Sequence, residues 1–129
     1  MIQHYTVKDR MFKCEYQLYC NGSAKEFTNA VKPYFADLSR FNNCDNVAGL
    51  TVVSDNGSII IYMPTFNTVK INDIGTLTHE CVHAMQLRLW EKCGVSETEW
   101  EVASYFVEFL VTGFLNEINK KKAVKRRKK

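Results

Sequence analysis

The sequence predicts an α+β domain: a small, mostly antiparallel sheet packed on a central helix and a C-terminal helix. Three observations carry this. Apolar and polar residues alternate from Met11 to Cys20, the period of two of a strand with one buried face. Asp55-Asn56-Gly57 separates two apolar runs and is a tight-turn signal for a hairpin. Capping-box spacings at Ser23-x-x-Glu26 and Ser96-x-x-Glu99 precede apolar stripes of helical period. At 129 residues one domain is expected, over 1–119, and an apolar fraction of 46% supports a modest core.

In chain order, Phe12, Cys14, Tyr16, Leu18 and Cys20 are expected on the inner face of the first strand, with Lys13, Glu15, Gln17 and Tyr19 outside. Asn21-Gly22 turns the chain. A helix starts after Ser23 with Phe27, Val31, Tyr34, Phe35 and Leu38 as its stripe; Pro33 should kink or divide it before its end near Arg40. Residues 42–46 read as a loop. Val47 to Val53 and Ser58 to Met63 form the hairpin, and the unbroken apolar run of the second strand predicts burial on both faces. A helix capped by Asn72 or Asp73 should reach about Glu91, with Ile74, Leu77, Cys81, Ala84, Met85 and Leu89 as one stripe and Gly94 as its stop. The last helix is expected from Glu97 to about Asn119, with a core stripe of Ala103, Phe106, Val107, Leu110 and Phe114.

The chemistry concentrates in His79-Glu80-Cys81-Val82-His83, the pattern H-E-x-x-H. Residues four apart share a helix face, so both imidazoles can bind one tetrahedral Zn²⁺ and leave other positions open. Glu80, beside the first ligand, can take a proton from a water on the metal and so act as the catalytic base. His79 and His83 lie nearly opposite the apolar stripe, on a helix that should therefore be packed on two sides.

Two histidines make an incomplete site. No histidine follows His83, and His4 lies near an end expected to fray. A carboxylate from the last helix is the natural completion, with Glu97, Glu99, Glu101 and Glu108 as candidates. Glu99 is claimed by the expected capping box and Glu97 suits the helix N-terminus. Glu101 and Glu108 share a face with Tyr105, and Glu101 is the favoured ligand. Tyr62, Tyr105 and Tyr34 are equal candidates to steady an oxyanion, and Glu108 or Asp73 could brace a ligand histidine.

The net charge of +3 hides an asymmetry. Eight of the 17 basic residues lie in Lys120–Lys129, leaving nine against 14 acidic residues in the body. The tail is expected to be disordered and solvated, with a weak nucleic-acid contact as its possible use. Five cysteines without an export signal predict reduced thiols, with Cys14 and Cys20 as small buried hydrophobes. No apolar run approaches the ~18 residues of a membrane span, and the first residues lack a signal-peptide pattern. A cytoplasmic protein with no membrane partner is expected.

The segments Leu77–Met85 and Glu101–Val107 resemble the small zincin-like metallopeptidases, most of all the zinc-peptidase-like proteins of tailed bacteriophages. Glu101 to Ser104 fits the E-x-x-A or E-x-x-S pattern of zincins whose third ligand is glutamate. The resemblance spans Val47 to Leu115. It implies a minimal zincin-like fold and a zinc peptidase in the host cytoplasm, acting on a peptide or protein. His79, His83 and Glu101 are then the metal ligands and Glu80 the catalytic residue. It also implies that the Ile59–Met63 strand is the sheet edge that pairs with an extended substrate. The alternative is a non-catalytic, zinc-stabilised module that binds a host protein or nucleic acid.

Overall fold

Two apolar layers flank a four-stranded sheet. The computed structural model describes residues 1–11, 13–41 and 44–127. Its strands are β1 (Gln3–Asp9), β2 (Cys14–Cys20), β3 (Leu50–Val53) and β4 (Ile59–Met63), in the spatial order β1-β2-β4-β3. β1–β2 and β3–β4 are antiparallel pairs, and only β2–β4 is parallel. The α+β architecture with a mostly antiparallel sheet is therefore the one that the alternation and the hairpin signal predict.

β1 is a strand that the sequence reading missed. It pairs with the whole of β2, from Gln3 opposite Cys20 to Asp9 opposite Cys14. His4 is accordingly not frayed: its ring stacks on Tyr19 at 4.3 Å, and its Nε2 lies 2.9 Å from Gln17 Oε1. On β2, Cys14, Tyr16, Leu18 and Cys20 face the core as expected, while Phe12 lies outside the described residues. Gln17 and Tyr19, expected to face solvent, are buried as well. The cause is α1 (Ala24–Val31), which covers the second face of the sheet. Its Phe27 stacks on Tyr62 at 4.3 Å and meets Tyr19 edge-on at 5.8 Å.

The Ser23–Glu26 capping box forms with both hydrogen bonds in place. Pro33 ends the helix rather than kinking it. The chain leaves α1 at Val31 and continues as short 3₁₀ turns at Lys32–Tyr34, Ser39–Phe41 and Cys44–Asn46. Of the expected loop, Asn42 and Asn43 lie outside the described residues. In β4, Ile59, Ile61 and Met63 face one apolar layer, and Ile60 and Tyr62 face the other. That two-sided burial is what its unbroken apolar run demands. β4 lies between β2 and β3, so it has no free edge. The expectation that Ile59–Met63 is the substrate-pairing edge is overturned: the edge on that side is β3.

The other face of the sheet carries α2 (Ile71–Met85), its π-helical continuation Gln86–Lys92, and α3 (Trp100–Arg127). Leu77, Cys81, Ala84, Met85 and Leu89 are buried from α2 and its continuation. α2 starts without a side-chain cap, because Asp73 accepts instead from the Asn67 backbone N–H at 2.9 Å. Gly94, with φ +67°, stops the helix as expected. α3 begins three residues later than predicted. Ser96 closes a turn, accepting from Thr98 N at 3.2 Å and Glu99 N at 3.0 Å, instead of capping the helix.

Ala103, Phe106, Leu110, Phe114 and Ile118 form the buried face of α3. α3 lies so close to β1 that a Cβ on Gly113 would stand 2.9 Å from Val7. The basic segment expected to be disordered is helical through Arg127; Lys128 and Lys129 lie outside the described residues. All five cysteines are free, and four are buried. Burial pushes the Cys81 thiol up to about 12, which makes it a core group rather than a reactive one. Among the described residues no helix is long and apolar enough to cross a membrane.

Candidate metal centre

α2 places its chemistry by periodicity. The stripe from Leu77 to Met85 seats one side on the sheet, and this turns His79 and His83 outward, where both are exposed. One helical turn apart, their Nε2 atoms come within 3.1 Å, with ring centroids 4.7 Å apart and planes at 83°. Two nitrogens bound at ~2.05 Å to a tetrahedral ion stand ~3.3 Å apart, so the pair fits two corners of a zinc site. The two Nε2 atoms lie within hydrogen-bonding distance, with donor and acceptor set by the tautomers.

Glu80 occupies a different environment. It is only 4% exposed, against the inner side of β3. Thr51 Oγ1 lies 3.2 Å from Glu80 Oε2 and 3.3 Å from the Glu80 carbonyl, so one hydroxyl proton tethers either acceptor. Gly49 is what admits the carboxylate: a Cβ there would lie 2.8 Å from Glu80 Cγ and 3.0 Å from its Cδ. Ligand-capable atoms of His79, Glu80 and His83 lie within 4.8 Å of one another. Among the described residues they are the group of His, Cys, Asp and Glu side chains with that spacing. The arrangement can hold a divalent ion on the imidazoles and keep a carboxylate beside it.

The group opens on a cleft of about 510 Å³ between β3 and α2, lined by Leu50, Thr51, Gln86, Leu87 and Glu91 as well as by the three motif residues. A second hollow of about 790 Å³ adjoins it towards the start of α2, sharing Gly49, His79 and Glu80. The histidines thus sit partway along a trough that follows the exposed edge of the sheet.

The structure brings together His79, Glu80 and His83, and the expected third ligand, Glu101, is not in that group. Glu101 is exposed on the first turn of α3 and is neither in the group nor in the lining of the cleft. The oxyanion candidates also lie away. Tyr62 is buried on the α1 side and donates to Gly22 O at 2.8 Å, Tyr34 packs in that same layer, and Tyr105 lines a groove on α3 with Glu108. Asp73 is engaged by the Asn67 backbone N–H, not by His79 or His83. The sequence reading missed Thr51, Gly49 and Glu91. In an ideal α-helix Glu91 falls about 80° from His83. The wider π turn over Gln86–Lys92 advances about 80° per residue and restores Glu91 to the histidine face. No family model, curated protein or solved structure matches this chain.

Proposed function

We propose that the chain is a zinc-dependent hydrolase, a peptidase that cleaves amide bonds. The observation that supports this is a pair of outward-facing imidazole nitrogens 3.1 Å apart beside a buried carboxylate on the adjacent residue. Two histidines completed by a glutamate are a donor set of catalytic zinc sites that keep a water on the metal. Bound zinc supplies a water that ionises near neutral pH and a Lewis acid for the scissile carbonyl. His79 and His83 would hold the ion through Nε2. Glu80 takes the water's proton on its carboxylate and returns it to the leaving nitrogen. Thr51 orients Glu80, and Gly49 leaves it room. An extended substrate adds its main chain to the edge of β3, with the trough accommodating side chains on both sides of the histidines.

The third protein donor is a glutamate, for which two residues compete. The zincin resemblance names Glu101, which must then approach from the first turn of α3. Glu91 lines the cleft and shares the histidine face. Zinc affinity separates them: the true ligand, replaced by alanine, weakens binding by at least about 100-fold, and the other leaves it within a few-fold.

The mechanism itself is tested by Glu80→Gln against a peptide library. The variant is expected to keep its zinc and to lose hydrolysis by about 10²–10⁴-fold. Parent-like turnover would refute the role of Glu80. A zinc-dependent rise in Tm without cleavage of any peptide would make the chain a zinc-stabilised binding module instead.

A further inference from the structure

The opposite edge of the sheet carries a site of another kind. A cavity of about 620 Å³ opens where the end of α3 crosses the start of β1 and the loop after β4. Lys121, Lys122 and Lys125 line it, and among the described residues no carboxylate does. Its walls include Tyr5, Phe66 and Ile118, with the amides of Asn21 and Asn67 among them. It shares no residue with the histidine cleft.

Two of the lysines are held in place rather than loose. Lys121 Nζ donates to the His4 carbonyl and lies 4.5 Å from the centroid of the Tyr5 ring. Lys122 Nζ donates to Thr68 Oγ1 at 2.9 Å. The neighbouring Lys120 turns away and pairs with Glu117 at 3.2 Å. Cations one turn apart on a helix repel, and among the described residues the cavity wall offers no anion to offset them. The last turn of α3 favours the charge of Lys125, and the concave wall focuses the field of all three lysines. The repulsion reaches His4, whose imidazole is held below its ordinary value chiefly by burial and further by Lys121.

We propose that this cavity binds a nucleotide: its phosphates on Lys121, Lys122 and Lys125, its base against the aromatic and aliphatic wall. The volume is that of a small-ligand site. A cluster of fixed cations next to apolar and aromatic surface matches a group that is anionic at one end and flat and apolar at the other. The nucleotide comes either free or as a unit of a single strand, and the two share this chemistry. The inference stands apart from the zinc reading, because it uses none of those residues.

The test is fluorescence anisotropy with the full chain and a labelled oligothymidylate of about twelve nucleotides, competed with ADP. Three phosphate contacts predict a log–log salt slope of about −2, so affinity falls about 20-fold between 50 and 200 mM salt. Lys122→Glu combined with Lys125→Glu should weaken binding at least about tenfold, and Lys120→Glu by no more than about threefold. Lys122→Gln, which adds no opposing charge, gives a smaller loss of the same sign, and circular dichroism confirms that each variant folds. ADP should displace the strand. A strand binding more than about tenfold tighter than ADP assigns the site to nucleic acid, and near-equal affinities assign it to the free nucleotide. Absence of binding to both probes would overturn the proposal. So would equal losses in Lys120→Glu and the double variant, or an unaffected double variant, since either reduces the effect to diffuse attraction by a basic helix end.

Discussion

The two edges of the sheet differ in how their side chains are assembled. At β3, both imidazoles and the carboxylate come from a single turn of α2; β3 adds Thr51, and the residue before it, Gly49, adds space. At β1, the cavity joins the first strand, the turn after β2, the loop after β4 and the last turns of α3. Lys121 and the His4 carbonyl that it meets are 117 residues apart. Helical periodicity alone sets the first arrangement, whereas the second exists only if the whole sheet and α3 are in place. One edge therefore presents two imidazoles with a buried carboxyl group behind them, and the other presents lysine side chains.

Weakening the packing of α3 is expected to give the largest effect, on the stability of the whole domain. Phe114 is fully buried, and Phe114→Ala should cost about 3–5 kcal/mol in urea unfolding. A loss under about 1 kcal/mol would show that α3 is not part of the core. Gly49→Ala should damage the β3 edge alone. The new methyl collides with Glu80 and displaces its carboxylate, so hydrolysis should fall at least about tenfold while anisotropy at the lysine cavity is unchanged. Equal turnover in that variant would mean that Glu80 has room to spare. Thr51→Val removes one tether from Glu80, worth about 1 kcal/mol, and should lower turnover about fivefold without loss of zinc.

The smallest effect belongs to the β1 edge and depends on pH. Burial, opposed by the hydrogen bond to Gln17 and assisted by Lys121, holds the His4 imidazole below its ordinary 6.5, while Glu15 acts to raise it. The unfolded chain then takes up this proton first. The stabilisation is complete above about pH 6.5 and is lost as pH falls from there towards the folded value. Tm should drop between pH 7 and pH 5 in the parent, and His4→Gln should flatten part of that drop. An identical pH profile in His4→Gln would dissociate His4 from acid sensitivity.

Legibility in the sequence followed the same division. The hairpin at Asp55-Asn56-Gly57, the Ser23 capping box and the buried stripes of α2 and α3 are local patterns, and each forms where it was read. The motif group was legible because i, i+4 spacing is itself a geometry. β1 was missed because Gln3–Asp9 is a strand by virtue of its pairing with β2, with little pattern of its own. The strand order was also hidden: nothing in Ile59–Met63 says that β2 lies beside it, so the edge was assigned to the wrong member of the hairpin. The reach of α3 past Asn119 was masked by composition, since a block of lysines looks solvated until His4, Tyr5 and Thr68 are known to receive it. The π turn that carries Glu91 round to the histidines left no sequence signal.

Zinc content of the purified chain by native mass spectrometry, beside His79→Ala and His83→Ala, tests the central claim most directly. The parent is expected to carry close to one zinc per chain and each variant close to none, with all three folded. A metal-free parent, or variants that retain the parent's zinc, would contradict it.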